Sequence, residues 1–166
     1  MWNETRNQTP VAGAGVTLES PFVGAADVLK PHQARASKKF TLRERPFLDL
    51  VNVRGEPGDA AFVAAFERVV GCQPPSAPNT VARGVGYDVL WLGPDEYLLL
   101  GPVADTQILA AGLAAALTGI AHSLVDVSQR QIALQVSGPY ASAILNSGCP
   151  LDLDAAEFPP GMCTRT

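Results

Sequence analysis

The stretch Val89–Pro102 reads VLWLGPDEYLLLGP, and the role of its acidic centre decides how the rest of the chain is built. Val89–Leu92 and Tyr97–Leu100 are short apolar runs rich in strand formers, separated by Gly93-Pro94-Asp95-Glu96. Pro94 presets its φ for the second position of a type I turn, and Asp95 is a favoured turn residue. The stretch therefore reads as a β-hairpin with Asp95 and Glu96 at a solvated tip. A general acid–base pair needs carboxylates that converge from separate places, in environments that split their pKa values. Sequence neighbours on a turn supply neither.

Upstream, Phe47, Leu48, Leu50, Val51 and Val53 fit a strand buried on most of both faces, with Pro46 at its start. Asp59 can cap a helix running to about Val70, in which Phe62, Phe66, Val69 and Val70 form one apolar stripe. Gly71 stands where a left-handed cap belongs. Three prolines make Gln73–Asn79 a loop. Asn79-Thr80-Val81 reads equally as loop capping, the start of a strand or a partner contact.

Downstream, a second helix begins at Asp105 or Thr106 and ends near Gly119, with Ile108, Leu109, Leu113 and Leu117 as its stripe. Strands follow at Ala121–Val127 and Gln131–Val136. Gly138-Pro139 opens a third helix, with Ala141, Ile144 and Leu145 expected inward and Gly148 as its stop.

Strand, helix, strand, strand, helix, strand is the order of the split βαβ, or ferredoxin-like, arrangement. The expected fold is α+β: an antiparallel sheet with both helices on one face, over residues 41–128. Residues 1–40 read as a mobile or extended arm, with a short helical turn near Ala25–Leu29. Residues 129–166 read as a second, C-terminally incomplete strand–helix unit with no visible partner strand.

Composition narrows the function. With 47% apolar and 17% charged residues, the 166-residue chain can bury a core. A net charge of −4 argues against non-specific nucleic-acid binding, which needs a basic footprint. The apolar stretch Ile108–Ala121 is too short to span a bilayer and holds Gly112, Thr118 and Gly119. Cys72, Cys149 and Cys163 form neither a disulfide framework nor a CxxC motif, and read as reduced thiols of a cytoplasmic protein. No basic and apolar leader pattern starts at Met1. His32 and His122 lie too far apart for a histidine-based zinc motif.

The sequence carries no recognisable chemical motif. Gly84-Val85-Gly86 lacks the third glycine and the following helix of a dinucleotide fingerprint. Neither Ser128 nor Ser137 sits in a GxSxG elbow. Cys149 follows a helix stop, where a thiol gains no help from a helix N-terminus. No catalytic, cofactor-binding or metal-binding residue is assigned. Arg43, Arg45, Arg54 and Arg130 remain as candidate interface residues; charge guarding a strand edge is the plainer reading of the first three.

Several stretches carry a resemblance: LRERPFLDLVNVRGEP (Leu42–Pro57), PNTVAR (Pro78–Arg83), LWLGPDEYLLLGP (Leu90–Pro102), VDVSQRQIALQVSGPYA (Val125–Ala141) and NSGCPLDLDAAEFPPGMCTRT (Asn146–Thr166). In that order they resemble the gamma-subunit family of heterotetrameric sarcosine oxidase, whose members look like the folate-binding fold of glycine-cleavage aminomethyltransferases. The resemblance implies a non-catalytic small subunit of an oxidoreductase acting on CH–NH donors with oxygen. That complex turns sarcosine into glycine and hydrogen peroxide and passes the one-carbon unit to tetrahydrofolate. It also implies alpha, beta and delta subunits as partners: flavins (FAD and FMN) on beta, NAD and tetrahydrofolate on alpha, and zinc associated with delta.

This chain has Ser128-Gln129-Arg130-Gln131 where the family pattern resembles Ser-His-Arg-Gln, so no histidine role carries over. The family pattern also continues past CTRT, which leaves two readings: a truncated product, or cover supplied by a partner. The rivals to a subunit are a stand-alone folate-dependent aminomethyltransferase-like protein, in which Asp126 would face the pterin, and a fragment without function.

Overall fold

The structure is a computed structural model that describes residues 19–25, 39–102 and 106–166. Its main sheet has five antiparallel strands in the order β3-β4-β5-β2-β6. These are β2 (Asp49–Gly55), β3 (Val81–Arg83), β4 (Asp88–Gly93), β5 (Glu96–Gly101) and β6 (His122–Asp126). Helix α1 (Ala60–Val70) joins β2 to the β3–β4 region, and α2 (Thr106–Ala116) joins β5 to β6. β5 pairs antiparallel with both β2 and β4, so β2 and β4 run parallel on either side of it. That is the expected split βαβ fold, with β3 added at the edge.

Helix α1 forms where capping and periodicity agree. The Asp59 side chain accepts from the Ala61 amide at 2.8 Å, and Gly71 closes the helix at φ 84°, where its amide donates to Glu67 O. Phe62, Ala65, Phe66 and Val70 are buried, and they meet Leu109, Leu113 and Leu117 from α2 and its following turn. The sheet contributes Val51, Val53, Val89, Tyr97 and Leu99 to the same cluster. Those positions alternate along their strands, so both helices cover one face. The Phe62 and Phe66 rings lie 5.9 Å apart, and Phe66 and Tyr97 6.1 Å apart. Burial of each large side chain contributes roughly 1.5–3 kcal/mol. At Gly55 a Cβ would run into the Phe62 ring, so the strand end needs glycine for close approach.

The hairpin joins β4 to β5 with Gly93 opposite Glu96. Neither Pro94 nor Asp95 has a positive φ, so the turn is not one of the primed types that match strand twist. The ladder absorbs the mismatch as an irregularity between Trp91 and Gly93.

Three expectations change. β1 (Thr41–Arg45) is a separate strand from β2, broken at Pro46, where the chain loses an amide donor, and at Phe47, which takes φ 57°. β1 pairs antiparallel with β7 (Ala133–Ser137), Thr41 opposite Ser137 and Arg45 opposite Ala133. The strand that had no visible partner thus pairs with one from the N-terminal side. Ser20 Oγ binds both carboxylate oxygens of Glu44, at 2.6 and 2.7 Å, and ties residues 19–25 to β1.

The third helix, α3 (Ala141–Asn146), does not face inward. Ile144 is 44% exposed and Leu145 41%. Among residues 131–166 only Cys163 is buried, so no core lies beneath α3 to receive its apolar face. Ile108, of the second stripe, has a side chain outside the described part. So do residues 26–29 of the expected helical turn, although Val23–Ala25 form one 3-10 turn.

Candidate functional site

The two carboxylates of the hairpin are held by different arginines. Arg54, at the end of β2, donates to Asp95 Oδ2 at 2.7 Å, and this hydrogen bond raises the Arg54 pKa above its usual value. Glu96 Oε1 accepts from Arg165 at 2.8 Å and from Asn52 Nδ2 at 2.9 Å. The hydrogen bond from Arg165, then that from Asn52, hold the Glu96 carboxyl below its usual range. Tyr97, beside the turn, is pushed up by burial. The hairpin reading holds, but the tip is not fully solvated: Glu96 is mostly shielded under Asn52 and Arg165. The carboxylates serve as anchors: one fixes β2 to the turn, the other fixes residues 161–165 to β5.

Residues 161–165 form that strap. The Val81 amide donates to Gly161 O at 3.0 Å and the Cys163 amide to Asn79 O at 2.8 Å; Thr80 and Met162 form an isolated bridge. The Cys163 thiol lies 3.3 Å from both Thr80 O and Trp91 O. Burial raises the Cys163 pKa, and burial followed by the charge of Glu67 raises that of Cys72. All three cysteines are free thiols.

Ser128 and Asp126 also have structural partners. The Leu50 amide donates to Ser128 Oγ at 3.0 Å, and the Ser128 amide and hydroxyl both reach Asp126 Oδ1, at 2.9 and 2.6 Å. The pair closes the turn after β6 onto β2. Asp126 therefore caps its own loop, and it is exposed at the end of an edge strand.

The four candidate interface arginines do not converge. Arg43 and Arg45 stand on one face of the exposed β1, and Arg130 lies exposed in the β6–β7 link. Arg45 lines a cleft of about 480 Å³ with Leu48, Arg83, Tyr87 and Leu100. Arg54 lines another of about 380 Å³ with Glu56, Asp95, His122 and Ser123. The two clefts lie at opposite ends of β2, roughly 20 Å apart along a seven-residue strand. Among the described residues no group of three or more His, Cys, Asp or Glu could hold a metal ion. No helix among them is long and apolar enough to cross a membrane.

Sequence reasoning missed Asn52 and Arg165. The signal for Asn52 was present: a polar residue between the buried Val51 and Val53 calls for a hydrogen-bond partner. The Arg165 contact spans 69 positions and leaves no local pattern.

Residues 54–165 match the family described as sarcosine oxidase, gamma subunit family. The chain belongs to this family. Family relatives include the sarcosine oxidase subunit gamma of Corynebacterium sp. (strain P-1), 40% identical over 135 residues, which are 81% of this chain and 65% of that one. The subunit gamma of an Arthrobacter sp. is 38% identical over 127 residues, 76% of this chain and 61% of the relative. The chain thus spans less than two thirds of the length of these two family relatives. A chain of the heterotetrameric sarcosine oxidase from Corynebacterium sp. U-96, in complex with pyrrole 2-carboxylate, superposes with a TM-score of 0.74 at 34% identity, covering 84% of this chain and 72% of that one. The glycine cleavage system aminomethyltransferase T of Bartonella henselae, 17% identical, shares the fold with a TM-score of 0.53, over 85% of this chain and 40% of its own.

Proposed function

We propose that the chain is a non-catalytic small subunit of a cytoplasmic sarcosine-oxidising complex. It packs against alpha, beta and delta subunits that carry FAD, FMN, NAD, tetrahydrofolate and zinc. The reaction yields glycine and hydrogen peroxide and passes the one-carbon unit to tetrahydrofolate. The observation that supports this reading most is the match to a chain of a heterotetrameric oxidase at 34% identity. The chemistry of the hairpin agrees with it. Asp95, Glu96, Asp126 and Ser128 bind other parts of the same chain, so these carboxylates and this hydroxyl act as fasteners. Arg43, Arg45, Arg54 and Arg130 are proposed contacts to the larger subunits.

The test is co-expression of the tagged chain with flavin-binding and folate-binding subunits, alongside titration of the isolated chain with tetrahydrofolate. Co-purification with weak or no folate binding is expected. Micromolar folate binding by the isolated chain, without assembly, would favour the stand-alone aminomethyltransferase-like alternative.

A further inference from the structure

We draw no further inference here: the strongest candidate, the exposed apolar face of β7 and α3 and the turn before β7, built by Ile132, Leu134, Tyr140, Ile144 and Leu145, carries nothing because nothing in the structure shows what covers it.

Discussion

Arg165 places its guanidinium 2.8 Å from Glu96 Oε1, joining the chain's penultimate residue to the first residue of β5. The carboxylate is mostly shielded, with 22% of its side chain exposed, while the arginine is 59% exposed. Asn52 holds the same oxygen from β2. Three parts of the sequence therefore meet on one acceptor.

Removing that contact costs stability. Arg165→Ala should lower the unfolding free energy by about 0.5–1 kcal/mol, since a half-exposed ion pair is screened. Glu96→Gln should cost a similar amount. The double variant should lose less than the sum, because the two side chains share one interaction. Urea titrations of the four proteins measure this, and strictly additive losses would mean that the pair is not coupled.

The same contact fixes a pH dependence. The folded-state pKa of Glu96 is depressed below the usual 4.5, chiefly by Arg165. Its contribution is therefore fully present above the unfolded value and fades as pH falls through the folded one. The stability gap between the natural chain and Glu96→Gln should be constant near neutrality and shrink below about pH 4.5. A gap that grows on acidification would contradict the sign.

Helices α1 and α3 show which features the sequence displays and which it hides. Asp59, the Phe62–Phe66–Val70 stripe and Gly71 are local signals, and cap, face and stop all agree with the structure. The β4–β5 hairpin was legible for the same reason: its turn chemistry and its flanking strands adjoin. The β1–β7 pairing joins residues about 90 positions apart, and strand partners at that distance leave no periodicity to read. Ala141, Ile144 and Leu145 are apolar at helical spacing, which specifies a face but not what lies opposite it. Within the hairpin, the turn was readable from Pro94 and Asp95, whereas the engagement of Glu96 depended on Arg165 arriving from far away.

That contrast gives a packing prediction. Leu113 is fully buried between α1 and the sheet, whereas Leu145 on α3 is 41% exposed. Leu113→Ala should cost roughly 2–5 kcal/mol through lost burial and the cavity left behind. Leu145→Ala should change the stability of the isolated chain by less than about 0.5 kcal/mol. Equal losses in denaturant melts would mean that α3 is packed in solution.

Cys163 is a reporter for the strap. It is 8% exposed, and burial raises its pKa, which lowers the fraction of reactive thiolate. In the native chain Cys163 should be alkylated more slowly than Cys72 or Cys149, both only partly buried. Arg165→Ala should speed labelling at Cys163 and leave Cys149 unchanged. Peptide mass spectrometry after timed alkylation follows each thiol. Labelling of Cys163 as fast as Cys149 would show the strap undocked.

The arginines test assembly and locate it. Arg43 is exposed on β1 and Arg130 on the β6–β7 link, so their replacement by alanine should leave the fold within about 0.5 kcal/mol of its natural stability. Arginine is over-represented among residues that dominate interface energies, and truncating one such contact costs about 1–2 kcal/mol, or roughly five- to thirtyfold in affinity. Arg43→Ala, Arg45→Ala, Arg54→Ala and Arg130→Ala should each weaken recovery of the larger subunits in pull-downs. Arg45 and Arg54 line clefts at opposite ends of β2. Loss at both places would require a partner surface reaching along the whole strand, and loss at one would confine the contact to that end. Recovery unchanged in all four variants would remove the arginines from the interface and leave the apolar surfaces to hold it.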